Sequence, residues 1–269
     1  MAIPKIIHYV WVGPNPFPEK AKVLTAHWRA LLPDYEFILW DERNIDFGSL
    51  FLRQAHGARA YNRVANYARY AALDRYGGFY MDHDVELLKP LEPLRDNRCV
   101  LGFQTQKTEG DLVNTAFMGA EPGHPFIRRA LDALGQMNGA YDWRAGTGPG
   151  LLTRLLRESD DIKPAAEPFV ASDVTLDPQR YFYPYEWTEQ FSPECVTPDT
   201  FAIHYWDHTW RRRHGLGHRL SALTFRTLAE LNPSLASGLV RWIDLRSRTR
   251  AEQPDLSAAT ESTIPVAIG

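Results

Sequence analysis

The chain has 269 residues, of which 44% are hydrophobic, 12% aromatic and 23% charged, and its formal net charge is −3. This composition excludes the disordered, collagen-like and disulfide-scaffold classes, and the charge balance excludes a globally basic nucleic-acid-binding protein. No apolar run reaches the ~18 residues that a membrane-spanning helix needs, and Cys99 and Cys195 are too few for a zinc cluster. Because the N-terminus makes a poor signal peptide, we expect a cytoplasmic location.

Strand and helix patterns alternate from the start of the chain. Residues Ile6–Val12 are β-branched and aromatic and stop at Gly13-Pro14, which predicts a buried strand. Apolar residues recur at helical spacing over Glu19–Leu32, and Glu36–Trp40 predicts a second buried strand. A strand, a helix and a strand in succession predict a right-handed βαβ unit with parallel strands.

A long helical pattern over Ala58–Tyr76 is broken by Gly77-Gly78, after which the predicted strand Phe79–Met81 runs directly into Asp82-His83-Asp84. Further strands are predicted at Cys99–Gln104, Thr115–Gly119 and Phe201–Trp206, and helices at His124–Met137 and Gly150–Glu158. This alternation predicts one α/β domain with a mostly parallel sheet, over residues 1–246. The polar residues 247–269 are expected to form a disordered tail.

The acidic pair Asp82 and Asp84 lies at the carboxyl end of a predicted strand, where ligand chemistry gathers in α/β sheets. Carboxylates two residues apart on an extended segment point to the same side, about 7 Å apart along the chain. That geometry suits Mg²⁺ or Mn²⁺ together with a sugar or ribose hydroxyl. Glycosidase carboxyls instead flank a sugar at ~5–9 Å, so the pair fits a metal better than acid–base work. Alone, the motif is weak, because Asp-x-Asp is common by chance.

The surrounding sequence strengthens the motif. The pattern N-x-x-R-Y at 66–70, followed by Y-G-G-x-Y-x-D-x-D at 76–84, resembles the sugar-binding region of Asp-x-Asp glycosyltransferases. It is most similar to family 32, which includes yeast initiating α-1,6-mannosyltransferases and bacterial capsular and lipopolysaccharide transferases. The catalytic domain of clostridial glucosylating toxins is a more distant likeness. Further blocks that resemble the family follow its order at residues 3–13, 39–41, 114–125, 147–149 and 204–210.

The resemblance implies a GT-A fold, in which a Rossmann-like, mostly parallel central sheet is flanked by helices. It also implies metal-dependent transfer of a sugar from a UDP- or GDP-sugar donor to a saccharide or lipid-linked acceptor. Retention of anomeric configuration, Mn²⁺ or Mg²⁺ as cofactor, and a role in bacterial polysaccharide or lipopolysaccharide assembly are expected from the same resemblance.

The resemblance also implies a role for individual residues, with Asp82, Asp84 and Arg69 as the catalytic set. Asp84 is expected to bind the metal directly, whereas Asp82 holds hydroxyls and the metal's waters. His204 is expected to be a further metal ligand or a phosphate contact. The donor-binding residues implied are Val10, Trp11, Asn66, Arg69, Tyr80, Asp82, Asn114, Thr147, Gly148, Pro149, Thr209 and Trp210.

Among these, Trp11 would stack on the donor base, and Arg69 would reach the donor sugar and diphosphate. Asn66 stands where relatives usually carry Asp, so it offers hydrogen bonds without charge. Structural interpretations remain for several positions: a core Trp at Trp11, a packing Tyr at Tyr80, a structural His at His204.

Other functions remain open at this stage. The 8 Trp and 12 Tyr residues could form sugar platforms in a non-catalytic carbohydrate-binding protein. A glycosidase would need a further carboxylate opposite the Asp82 pair, and a glycosyltransferase could act on a protein acceptor. Residues 218–246 read as two helices, which favour packing against the main domain over a peripheral membrane contact.

Overall fold

The computed structural model describes residues 2–139 and 146–207. The strands are β1 Ile6–Val10, β2 Glu36–Trp40, β3 Gly78–Met81, β4 Val85–Leu87, β5 Cys99–Phe103, β6 Val113–Ala120, β7 Phe169–Ala171, β8 Val174–Asp177 and β9 Ala202–His204. The helices are α1 Glu19–Leu31, α2 Leu50–Gly57, α3 Tyr61–Tyr76, α4 Pro125–Gly135, α5 Pro149–Arg157 and α6 Gln179–Phe182. The predicted domain end at 246 and the predicted tail at 247–269 lie outside the described residues.

The central sheet has 7 strands in the order β2-β1-β3-β6-β5-β8-β7. Strand β1 pairs in parallel with both β2 and β3, which confirms the parallel strands of the predicted βαβ unit. Strand β6 is antiparallel to β3 and to β5, and β8 is parallel to β5. Strands β1, β2, β3, β5 and β8 therefore share one direction, opposite to β6 and β7, so the predicted mostly parallel α/β sheet is confirmed.

Side chains alternate between two cores, one on each face of the sheet. On strand β3, Tyr80 packs into the core that helices α2 to α5 cover, whereas Phe79 and Met81 pack into the core that α1 and α6 cover. Trp28 of α1 is fully buried in the second core. Helices thus cover both faces, and the carboxyl edge of the sheet is left for chemistry. Within the described residues, no helix has the length and apolarity needed to cross a membrane.

The structure differs from the predicted elements where segments are short. The helix predicted from Ala58 begins at Tyr61 instead, because Arg59 adopts a positive φ of 55° after α2 ends. Helix α2 was not predicted, and neither were the short elements β4, β7, β8 and α6. Elements of three or four residues are too short to show a hydrophobic period.

Two glycines direct the chain from α3 into β3. Gly77 and Gly78 have φ values of 64° and 98°, which favour glycine. A Cβ at Gly78 would lie 2.6 Å from the carbonyl oxygen of Ile6, and one at Gly77 would lie 2.8 Å from the nitrogen of Pro122. Both positions therefore require glycine if β3 is to lie beside β1 and deliver Asp82 to the sheet edge.

Asp177, the last residue of β8, carries a stability prediction. Its Oδ2 is buried and has no hydrogen-bond partner among the described residues, and burial raises its pKa from 3.8 to about 7. Between pH 3.8 and about 7, the folded state therefore holds a proton on Asp177 that the unfolded state has lost. The stability linked to this proton is fully present below pH 3.8 and is lost as pH rises through about 7. We expect Asp177→Asn to raise the free energy of unfolding at pH 8 by up to about 4 kcal/mol.

Urea unfolding of wild type and Asp177→Asn across pH checks this expectation. The difference between the two proteins should grow from about pH 4 to about pH 8. A difference that does not change with pH would show that Asp177 is not a buried acid in the folded protein. Asp173→Asn is a suitable control, because Asp173 is exposed in the turn before β8.

Candidate metal and donor site

Asp82, Asp84 and His204 converge at the carboxyl edge of the central sheet. Each offers one ligand atom, and these atoms all lie within 4.8 Å of one another. The two aspartates occupy the turn between β3 and β4, and His204 ends β9, which pairs antiparallel with β4 so that Val85 faces His204. Two carboxylates and an imidazole are ligand types that bind a divalent cation. The structure therefore brings together all three predicted metal residues.

The electrostatics of Asp84 also suit a cation. The side chain is almost fully buried; its Oδ2 accepts the N–H of Asp207 at 2.7 Å, and its Oδ1 lies 3.4 Å from Nε2 of His204. Burial acts to raise the pKa of Asp84, but the charge and hydrogen bond of His204 outweigh it and hold that pKa below its usual range. Burial acts to lower the pKa of His204, and the Asp84 carboxylate outweighs it and raises that pKa. The site thus keeps a buried carboxylate ionised.

Two side-chain hydrogen-bond donors fix the Asp82 carboxylate. Tyr80 donates its hydroxyl to Asp82 Oδ1 at 2.6 Å, and Arg69 Nη2 donates to the same oxygen at 3.1 Å. Arg69 also donates to the carbonyl oxygen of Thr115 at 2.6 Å, and its guanidinium lies 4.4 Å from the centre of the Tyr80 ring. Because Arg69 is 5% exposed and Tyr80 is 1% exposed, both side chains contact Asp82 from the protein interior, and direct donor contact by either stays a prediction.

The predicted residues Asn66, Thr147, Gly148 and Pro149 meet on the α3 side of the site. Asn66 Nδ2 donates to the hydroxyl of Thr147 at 2.8 Å, and a Cβ on Gly148 would lie 3.3 Å from the same nitrogen. Tyr70 donates its hydroxyl to the Thr147 carbonyl at 3.3 Å. Pro149 is the first residue of α5, the first-position proline of a plain helix start. Donor contact by these residues stays a prediction.

Trp11 lies one residue beyond β1 and beside the acidic pair. Its ring is partly exposed and meets His83 edge-on, with 4.9 Å between ring centres. The indole N–H donates to the carbonyl of Asn15 at 2.8 Å, which fixes the ring orientation. Trp11 is therefore not a core residue, and base stacking stays its predicted role. Val10, by contrast, is 5% exposed and packs in the core.

Asn114 uses its amide inside the protein. Its Oδ1 accepts the backbone N–H groups of Thr115 and Ala116, and its Nδ2 donates to Gln104 at 2.5 Å. It therefore shapes the start of β6, next to the carbonyl of Thr115 that holds Arg69. The predicted donor residues Thr209 and Trp210 lie outside the described residues, as does the segment 218–246.

No role was predicted from the sequence for Lys20 or for Asp207, although Asp207 lies within the block at 204–210. Lys20 Nζ lies 2.8 Å from Asp207 Oδ2 and 4.1 Å from the ring centre of Tyr205. Helix α1 reaches the site because Trp28 Nε1 donates to the Val85 carbonyl at 2.9 Å. That contact joins segments far apart in the chain, so no local pattern could have revealed it.

Two family models match the chain. A model described as "Glycosyltransferase sugar-binding region containing DXD motif" matches residues 18–101, which include the Asp82–Asp84 pair. A second, described as "Alpha 1,4-glycosyltransferase conserved region", matches residues 119–224 and includes His204. The lactosylceramide 4-alpha-galactosyltransferase of Pongo pygmaeus is 31% identical over 180 residues, which cover 63% of this chain and 76% of that protein. The chain belongs to the DXD glycosyltransferase family. The predicted family resemblance and the predicted glycosyltransferase class are confirmed at this level.

Other relatives of this glycosyltransferase are matched over a smaller part of their length. The gorilla lactosylceramide 4-alpha-galactosyltransferase is 32% identical over 63% of this chain and 50% of its own length. Inositol phosphoceramide mannosyltransferase 1 of Schizosaccharomyces pombe is 33% identical over 52% of this chain and 45% of its own length. The chain thus spans about half the length of these two relatives.

Two solved glycosyltransferases are similar to this chain at low sequence identity. The galactosyltransferase LgtC, solved with donor and acceptor sugar analogues, has a TM-score of 0.45 and 14% identity, over 84% of this chain and 95% of its own. GlyE of Streptococcus pneumoniae has a TM-score of 0.45 and 10% identity, over 92% of this chain and 64% of its own. The family assignment itself rests on the sequence matches.

Proposed function

We propose that the protein transfers a sugar from a nucleotide-sugar donor to a hydroxyl of a saccharide acceptor, with the help of a divalent cation. The observation that carries this proposal is the convergence of Asp82, Asp84 and His204 within 4.8 Å, at the sheet edge next to Trp11. Asp84 and His204 would hold Mn²⁺ or Mg²⁺, together with Asp82. The bound cation would supply Lewis-acid stabilisation of the departing diphosphate.

The transfer itself needs no covalent enzyme intermediate. The bond between the anomeric carbon and the diphosphate oxygen breaks, and its electron pair leaves with the diphosphate. The acceptor hydroxyl oxygen bonds to the same carbon and gives its proton to an oxygen of the departing diphosphate. In this scheme Asp82 orients donor hydroxyls, and Arg69 and Tyr80 keep the Asp82 carboxylate in place. Retention of configuration is proposed from the family resemblance.

For the acceptor we propose a saccharide carried on a lipid or another glycoconjugate. By name, the relatives act on lactosylceramide and on inositol phosphoceramide, and both of these are glycosylated or phosphorylated ceramide lipids. These relatives come from primates and fission yeast, so they give no support to the bacterial polysaccharide setting, which stays a prediction together with the cytoplasmic location.

Thermal unfolding with nucleotide sugars tests the proposal. We expect UDP-sugars or GDP-sugars with Mn²⁺ to raise the Tm, because a ligand at 100 times its Kd stabilises the native state by about 2.7 kcal/mol. Chelation of the metal should abolish most of the shift. Stabilisation by free glycans without nucleotide or metal would instead favour a non-catalytic carbohydrate-binding protein, and release of sugar from oligosaccharides without nucleotide would favour a glycosidase.

A further inference from the structure

Lys20 of helix α1 lies beside the metal site, although it is outside the short sequence blocks that resemble the family. Its Nζ is 2.8 Å from Asp207 Oδ2, and the backbone N–H of Asp207 donates to Oδ2 of the metal-site residue Asp84. The Lys20 ammonium is therefore linked to the buried Asp84 carboxylate through a single residue, Asp207. The Lys20 side chain is 22% exposed, so it is only partly buried beside the site.

Contacts at the start of helix α1 connect the predicted base platform with the predicted metal ligands. Phe17, just before α1, packs edge-on against Trp11 with 5.7 Å between ring centres. Trp11 is the predicted base platform, and Asp84 is the predicted metal ligand. Helix α1 thus begins beside Trp11, and its Lys20 forms an ion pair with Asp207, whose backbone N–H donates to Asp84. The diphosphate of a donor lies between its base and the metal that binds it.

The Arg69 side chain is engaged with other protein groups, so the charge of a departing diphosphate calls for a further cation. Arg69 is 5% exposed, and its guanidinium already donates to Asp82 and to the Thr115 carbonyl. A departing nucleoside diphosphate carries more negative charge than one divalent cation neutralises. A more accessible cation on the same side as Asp84 would supply the remaining stabilisation.

We propose that Lys20 binds the diphosphate of the nucleotide-sugar donor, sharing its ammonium between Asp207 and a phosphate oxygen. This inference rests on the proposed function and adds a donor-binding residue to it.

Calorimetric titration with UDP and GDP in the presence of Mn²⁺ tests the inference without turnover, with uridine and guanosine as probes that lack phosphate. We expect Lys20→Met to weaken binding of the preferred nucleoside diphosphate by about 10- to 100-fold, the effect of losing one hydrogen bond to a charged group. Nucleoside binding should be unchanged, and Lys20→Arg should keep most of the affinity. Lys22→Met is the matched control, since Lys22 is on the same helix, exposed and paired with Glu19.

Asp207→Asn separates phosphate binding from a purely structural ion pair. If Lys20 only anchors Asp207, Asp207→Asn should weaken diphosphate binding as much as Lys20→Met does, and the inference is then wrong. If Lys20 binds phosphate, Asp207→Asn should leave that affinity unchanged or tighten it. Equal diphosphate binding by wild type and a folded Lys20→Met protein also overturns the inference alone. A wild type that binds neither UDP nor GDP with Mn²⁺ overturns the proposed function as well.

Discussion

Replacing Asp84 by Asn is expected to lower sugar transfer by at least about 10²- to 10³-fold, the loss typical of removing one electrostatic stabiliser of a transition state. Asp84 is more deeply buried than Asp82, the other carboxylate of the candidate metal site, and its Oδ1 lies 3.4 Å from Nε2 of His204. Asparagine keeps the volume of the side chain and an oxygen that can accept the Asp207 N–H. It removes the charge that would hold a cation. The fold should therefore survive while metal binding is lost.

The measurements for Asp84→Asn are Mn²⁺ affinity by calorimetry, turnover of the nucleotide sugar, and Tm. Asp173→Asn is the matched control, because Asp173 is an exposed partner of Arg98 on the β7–β8 turn. Wild-type turnover by Asp84→Asn in the presence of a chelator would refute the metal-dependent mechanism. A large fall in Tm without any added ligand would show that Asp84 serves the fold rather than the metal.

Most of the central sheet could be predicted because its strands carry continuous β-branched or aromatic runs. Strand β2 has the predicted bounds, Glu36–Trp40, and α1 ends one residue before the predicted end. Strands β4 and β9 are different, since each has only three residues and gains its stability from pairing with the other. The pairing of β4 with β9 is what places His204 beside Asp84, so that closeness was inferred from family resemblance rather than from periodicity.

The site was predictable where it follows a strand end and obscure where it depends on packing between distant segments. Asp82 and Asp84 could be placed because they directly follow β3. The burial of Arg69 beside Asp82 could not be predicted, because it depends on the Thr115 carbonyl of β6, a strand distant in sequence that pairs antiparallel with β3. Lys20 is a similar case, since α1 packs over β4 through contacts between distant segments, among them the hydrogen bonds of Trp28 to Val85 and of His27 to Leu87.

Replacing Arg69 by Met is expected to reduce both stability and activity. Arg69 is 5% exposed and connects Asp82 Oδ1, the Thr115 carbonyl and the face of the Tyr80 ring. Removing one partner of a buried ion pair costs about 3–5 kcal/mol, because the other charge is left uncompensated. The Asp82 side chain is 24% exposed, so water offsets part of that cost and the lower end, about 3 kcal/mol, is expected. Activity should fall as well, because Asp82 loses one of its two fixed donors.

A double-mutant cycle separates the two effects. Asp82→Asn removes the charge that Arg69 compensates. The double variant Arg69→Met/Asp82→Asn should therefore have a free energy of unfolding close to that of Asp82→Asn alone, lowered only by the cost of leaving the Thr115 carbonyl without a hydrogen bond. Arg69→Lys keeps the charge but not the planar fork, and it should lose about 1–2 kcal/mol. Arg43→Met is the control, since Arg43 pairs with Asp41 at the surface and its loss should not change urea unfolding measurably. Additive effects of Arg69→Met and Asp82→Asn on the free energy of unfolding would mean that the two side chains do not stabilise each other, and the expected role of Arg69 in fixing Asp82 would be wrong.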